Sequence, residues 1–364
     1  MFILVINRTK LANNWINLQP VPVRRGIYMK KNFSKIIKYL LSALLAGILL
    51  YFSFREVEWN DFVAGLKDCR WEYILLSMAA GAFAFWLRAL RWRRLLLPID
   101  ESISRVTTFN GINIGNISNF VFPRIGEFVR CGVITRRSVP EDLQHPQHKK
   151  ASYDKVLGTV VLERSWELLV MLLLLAVVIV GGFDRFGGFF VDQIWTPMAQ
   201  RVDFSIWWIV AVFALGAAAG FYLLWRFRDS DGFCSKVWGI FRGIIQGFSS
   251  CLKMEQKWLF FAYTALIWMT YWLMAASTVW AAPFLDDLTL IDALFLSLVG
   301  GLGFAVPVPG GIGAFHFVIS LALAGVYGIP MEMGIIYATL SHTSQAITQI
   351  VFGAVSYGYE ALRK

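Results

Sequence analysis

The chain has 364 residues, 57% of them hydrophobic and only 16% charged, with a formal net charge of +10 and a mean hydropathy of +0.58. Those proportions exclude an ordinary soluble domain and describe a polytopic membrane protein of the bacterial inner (cytoplasmic) membrane type, in which the 15 tryptophans and 30 phenylalanines suit interfacial belts and helix packing. The four cysteines (Cys69, Cys131, Cys234 and Cys251) show neither CxxC spacing nor neighbouring histidine pairs, so neither a disulfide framework nor a metal site is expected. The basic residues gather at helix ends and in particular loops, as membrane topology and an anionic leaflet require, and no nucleic-acid partner is expected.

In chain order, residues 1–33 read as a flexible leader: "MFILVINRTKLANNWINLQPVPVRRGIY" is polar, broken by proline and too weakly apolar for a signal-peptide core. Met29, followed at once by "KKNFSKIIKYLLSALLAGILLYFSF", is a second candidate start beside Met1. Apolar windows of roughly 20 residues then place full spans at 34–54, 71–92, 156–182, 205–226, 257–281 and 333–357. Two further segments have membrane length but are interrupted, 104–138 by "GNISNFVFPRIGE" and 292–327 by "VPVPGGIGAF". Proline and glycine clusters stop helices, and the backbone groups they free are tolerated at membrane depth only where protein or water satisfies them.

Loop charge decides how the interrupted segments run. Lys30, Lys31, Lys35 and Lys38 precede the first span, and Arg88, Arg91, Arg93 and Arg94 end the second, so both flanks are expected in the cytoplasm. A complete crossing at 104–122 would carry Arg124, Arg130, Arg136, Arg137, Lys149, Lys150 and Lys155 outside, against the positive-inside rule. A re-entrant hairpin over 104–138 keeps them inside. The same count makes the basic stretch from Arg226 to Lys257 internal, puts Asp286, Asp287 and Asp292 outside, and makes 292–327 a hairpin dipping from the external face.

The expected fold is therefore all-α and integral to the membrane, with six full transmembrane spans plus two re-entrant helical hairpins in two inverted-topology repeats. The first repeat is 34–182 and the second 205–357, separated by an external linker at 183–204 and followed by a cytoplasmic tail at 358–364. The hairpin turns echo each other, "PRIGEF" at 123–128 beside "PGGIGAF" at 309–315. Such inverted repeats belong to transporters whose substrate sites lie where broken helices meet near the midplane.

The unusual residues cluster at these turns. Arg124, Glu127 and Arg130 follow i, i+3, i+6 spacing and are expected on one helix face just after Pro123 and around Gly126. They suit either a clamp for a lipid phosphate, since a guanidinium matches a phosphate, or an internal Arg–Glu pair that holds the hairpin together. Asn110, Asn113, Asn116 and Asn119 recur every third residue with Gly111 and Gly115 between them, a polar stripe for a headgroup or for interhelical hydrogen bonding. "LERSWELL" sets Glu163 and Glu167 one turn apart beside Arg164, near the cytoplasmic interface, where they either snorkel or complete the entrance to the Arg124 site. Pro307, Pro309, Gly310, Gly311 and Gly313 form the second turn. His316 and His342 lie at that hairpin and at the span expected to pack on it, as packing residues or proton carriers. "GGIGAF" lacks the lysine and strand context of a phosphate loop, and no catalytic constellation appears, so neither an enzyme nor a cofactor is expected.

At "NFVFPRIGEFVR", "LERSWE" and "VPVPGGIGAF" the chain resembles the lysylphosphatidylglycerol synthase transmembrane-region family of flippase-like membrane proteins, over about residues 35–360. The residues that carry the resemblance are Asn119, Pro123, Arg124, Gly126, Glu127, Arg130, Glu163, Arg164, Pro309, Gly310, Gly311 and Gly313. Departures are Glu167 where an aspartate is usual, His316 where a glutamate is common, and His342 near a frequent arginine. The soluble aminoacyl-transferase domain of the fused members is absent from this sequence, so the resemblance implies movement of a phospholipid or lipid-linked headgroup between leaflets rather than lipid aminoacylation. A secondary transporter of a small soluble anion, or a membrane accessory or enzyme of lipid or glycan synthesis, are the alternatives.

Overall fold

The computed structural model describes residues 59–138, 151–191 and 256–363, with scattered helical positions between 44 and 51 and between 196 and 238. The leader with Met29, the spans expected at 34–54 and 205–226 and most of the 183–204 linker lie outside the described residues. Among those described there is helix and no strand: α1 Trp59–Lys67, α2 Trp71–Leu96, α3 Arg105–Val121, α4 Gly126–Arg137, α5 Tyr153–Gly181, α6 Lys257–Ala281, α7 Leu290–Ala305, α8 Ala314–Tyr327 and α9 Met331–Leu362.

Length separates two kinds of helix. At 1.5 Å per residue, α2, α5, α6 and α9, with 26, 29, 25 and 32 residues, run about 38–48 Å. The arms α3, α4, α7 and α8, with 17, 12, 16 and 14 residues, reach only about 18–26 Å, short of a hydrocarbon core of about 30 Å. Four stretches combine the length and the hydropathy of a membrane span: Trp71–Leu96, Tyr153–Gly181, Lys257–Ala281 and Pro309–Tyr327. The fourth includes a turn in which Gly310 has φ +60° and Gly313 φ +82°, so its continuous helix is the 14-residue α8. The helix expected at 333–357 forms as α9 but is not among the four, because Ser341–Gln345 and Thr348 cross its middle.

The α2–α6 pair is the axis of the fold. It is antiparallel along its whole length: Arg70 at the start of α2 chelates Asp286 just beyond α6 through Nη1–Oδ1 and Nη2–Oδ2 contacts of 3.0 and 2.6 Å, and Ser77 Oγ donates to the Met274 carbonyl. At the far end Arg94 Nη1 donates to Gln256 Oε1 at 2.8 Å.

The hairpins start from opposite ends of this axis. The first starts beside Arg93, whose Nε donates to the Ile103 carbonyl, and Ser104 caps α3 by accepting from the Thr107 amide. The second starts beyond Asp286, where Thr289 and Asp292 form a reciprocal capping box on α7. The tips meet. Arg124 Nη2 donates to Ala305 O at 2.7 Å, and the Phe120 ring packs so closely on Gly310 that a Cβ there would lie 2.6 Å from it. Each hairpin's first arm also packs on a long helix, α3 on α9 and α7 on α5.

Residues 183–191, expected to begin a linker, continue α5 through a wide π turn instead. Phe186, Phe189 and Phe190 pack on Phe295 of α7, and Arg185 pairs with the buried Asp292 at 3.2 Å. Burying Phe186 and Phe189, with Phe190 partly buried beside them, outweighs the tendency of Gly182 and Gly187–Gly188 to end the helix.

Candidate functional site

The charged residues near the first turn are assembled by three helices. On α2, Arg88 and Arg91 lie one turn apart and face α5, where Glu163, Arg164 and Glu167 share one face. Glu127 and Arg130 are brought to the same place by α4, because Gly115 and Gly126 let the hairpin arms touch backbone to backbone; a Cβ on Gly126 would lie 2.0 Å from Gly115 O. Asn119 Oδ1 accepts from the Gly126 amide at 2.7 Å and closes the turn.

The result is a continuous ion-pair network. Glu163, fully buried, accepts from Arg130 Nη1 at 2.6 Å through Oε2, and its Oε1 lies 3.3 Å from Arg91 Nη2. Glu167 takes Arg91 Nη2 at 2.5 Å and Arg164 Nη1 at 2.8 Å, and Arg164 reaches on to Glu127 at 2.9 Å. Arg88 touches Glu167 only at 3.8 Å. The guanidinium of Arg130 stacks over the Trp92 ring at 4.6 Å, and Trp92 is anchored by donating to Thr159 Oγ1 at 3.0 Å. Four guanidinium groups thus face three carboxylates, an excess of one positive charge in a network that is buried at Arg91, Arg130 and Glu163 and partly exposed at Arg164.

A narrow slit, too tight to seat a water molecule, runs along the network. It is lined by Arg88, Asn116, Asn119, Glu127, Arg130 and Arg164, with Ile112, Gly115 and Gly126. Several buried polar atoms here have no hydrogen-bond partner: Arg88 Nε, Arg130 Nε and Nη2, Arg164 Nε, Asn116 Nδ2 and Glu127 Oε2.

A family model, lysylphosphatidylglycerol synthase TM region, matches residues 36–353. The chain belongs to that family. Comparisons with curated proteins and with solved structures give no match. Membership identifies this chain with the membrane region of a lipid-related synthase family, as the apolar helices require.

In this family member the sequence-derived site residues divide. Asn116, Asn119, Glu127, Arg130 and Arg164 line the slit, and Glu163 and Glu167 bind its arginines from behind. Arg124 stands apart. Rather than sharing a helix face with Glu127 and Arg130, it precedes α4 in the left-handed region with φ +60°, exposed and hydrogen-bonded to Ala305, because the tight reversal after Pro123 delays the helix to Gly126. Nor do Glu163 and Glu167 snorkel: the arginines of α2 and α4 hold them inward. The asparagine stripe also splits, since Asn110 donates to Glu360 of α9 at 2.8 Å, whereas Asn113 is fully buried with neither amide atom bonded.

Arg88 and Arg91 were legible only as a cytoplasmic flank. The signal that distinguishes them is their i, i+3 spacing, which puts them on one helix face as i, i+4 spacing does Glu163 and Glu167.

At the second turn, Gly310, Gly311 and Gly313 all have positive φ, which side chains resist. His342 Nε2 lies 2.9 Å from Gly310 O, and its ring centroid is 5.1 Å from that of His316, both rings being buried against Phe315. The histidines therefore meet each other at the turn, well away in sequence and in bonding from the arginine network.

Proposed function

We propose that this protein is a flippase-like carrier, not an enzyme, that moves a phospholipid or lipid-linked headgroup between leaflets of the inner membrane, with both termini cytoplasmic. The observation that carries the reading is the buried network with one positive charge in excess at the base of the first hairpin. An anionic headgroup is taken by the arginines of that hairpin, Arg130 in the slit and Arg124 at the exposed tip, whose guanidinium spends one donor on Ala305. Supporting the inverted-repeat reading, the equivalent helices α2 and α6 run antiparallel and the two short-armed hairpins approach from opposite ends. Arms too short to cross the membrane fit re-entrant hairpins.

Reconstituted vesicles test the function. Fluorescent anionic phospholipid should cross them with the wild-type protein and fail to cross with Arg124→Ala, with thermal stability in detergent nearly unchanged. Translocation by Arg124→Ala at the wild-type rate would reject the arginine assignment, and labelled phosphate uptake without lipid movement would favour a soluble-anion transporter. For the topology, cysteines placed at exposed Arg136 and Asp287 in a cysteine-free background should react from opposite sides, the first from the cytoplasm. Reaction of both from one side would remove the inverted repeat.

A further inference from the structure

Each hairpin is fastened at its open end, away from the turn, and the two fastenings are counterparts. At one end of the α2–α6 axis the last turn of α9 grips both arms of the first hairpin: Glu360 Oε1 accepts from Asn110 Nδ2 of α3 at 2.8 Å, and its Oε2 accepts from Arg137 Nε at the end of α4 at 2.8 Å. Arg137 Nη2 also donates to the Glu360 and Arg363 carbonyls, and Arg363 Nη1 donates to Thr107 Oγ1 of α3. At the other end, the turn that continues α5 grips the second hairpin. Arg185 Nη1 lies 3.2 Å from Asp292 Oδ1 near the start of α7, and its guanidinium lies 5.1 Å over the Tyr327 ring at the end of α8, whose hydroxyl donates to the same Oδ1 at 3.0 Å. One charged side chain thus bridges the two arms of a hairpin at each end, a carboxylate at the first and a guanidinium at the second.

These fastenings are built to release. The Arg91–Glu163–Arg130 contacts are buried, whereas Arg137 and Glu360 are partly exposed and the Arg185 side chain is 46% exposed, so water can replace either grip at little cost. Nor does release of Arg185 strand the buried carboxylate, because Asp292 keeps the Thr289 amide, the Thr289 hydroxyl and Tyr327. Behind each grip the packing is dry: Ser356, one turn inward from Glu360 on α9, is 2% exposed, and Val299, two turns inward from Asp292 on the same face of α7, is fully buried. Both grips are closed in the structure, while the far tips already touch, Arg124 on Ala305 and Phe120 on Gly310. A hairpin that pivots at its open end therefore moves a tip against its neighbour's. Resting on the carrier reading above, which needs access from one side at a time, we infer that Glu360 and Arg185 are the latches of two alternating gates. Release of Glu360 frees the first hairpin from α9, release of Arg185 frees the second from α5, and the shared tip contact keeps the two from opening together.

Gate opening can be read separately from transport by the rate at which single cysteines react with a water-soluble maleimide, using the full-length protein in detergent and a cysteine-free background. Ser356→Cys reports the first gate and Val299→Cys the second. Glu360→Gln should speed labelling at position 356 by about fivefold or more and slow it at position 299 by about twofold, and Arg185→Gln should do the reverse. Should either variant fail to fold, Glu360→Asp and Arg185→Lys, which keep the charge but weaken the grip, should give the same pattern at about twofold amplitude. Unchanged labelling at both positions in the folded variants overturns the latches. A rise at both positions in one variant, or a rise at the near position with the far one unchanged, overturns the alternation. Reciprocal labelling in a protein that moves no lipid supports the latches and sinks the carrier reading instead.

Discussion

The two hairpins share a shape and reach it by opposite means. In the first, side chains close the structure: Asn119 bonds the Gly126 amide, Arg124 accepts a left-handed backbone, and Arg130 and Glu127 join a network spanning α2 and α5. In the second, backbone freedom does: Gly310, Gly311 and Gly313 make the turn with positive φ, and Gly303 lets α7 approach the backbone of Phe315, where a Cβ would lie 2.9 Å from its Cα. The consequence is a division of labour, with charge and donors concentrated in one hairpin and a glycine-built, aromatic-packed pivot in the other. They touch at the tips, where Arg124 meets Ala305 and Phe120 packs on Gly310.

The contrast breaks most completely at the close approach of the first hairpin's arms. Gly126→Leu should cost more than about 3 kcal/mol or abolish folding, because its Cβ would meet the Gly115 carbonyl backbone at 2.0 Å, where nothing can yield. Gly132→Ala, on the same helix with nothing within 4 Å, should be neutral or gain up to about 1 kcal/mol. Thermal unfolding in detergent separates the two; equal tolerance would mean the arms are not in contact.

Next in size comes the network. Glu163→Gln removes the carboxylate shared by Arg91 and Arg130 and should destabilise by about 3–5 kcal/mol, the scale for breaking a buried pair from one side. A loss under about 1 kcal/mol in the same melting experiment would show the arginines to be solvated rather than buried. The smallest effects compare the turns directly. Gly311→Ala, at φ +77°, should cost about 1–2 kcal/mol, whereas Arg124→Gly, at φ +60°, should stay within about 1 kcal/mol of wild type, as relief of backbone strain offsets the lost bond to Ala305. Were Arg124→Gly as costly as the Glu163 change, the first turn would depend on its guanidinium for stability and not for binding.

What the sequence by itself determined is local. Long apolar runs specify α2, α5 and α6 within a few residues, since a helix in lipid must satisfy its own backbone, and the Pro/Gly clusters at 123–126 and 307–313 specify where helices cannot continue. The residues at both turns were legible for the same reason. Tertiary structure alone decided which charges meet. Arg91 and Glu163 are 72 residues apart, and the pattern around Arg88 and Arg91 is indistinguishable from an ordinary basic flank until α2 is laid against α5. It also decided that Arg124 leaves the helix face its spacing suggests, because i, i+3, i+6 periodicity assumes a helix already begun, and the backbone there is still turning. Side-chain spacing encodes a face only within one element; pairing between elements depends on how close their backbones come, which here is set by Gly115 against Gly126.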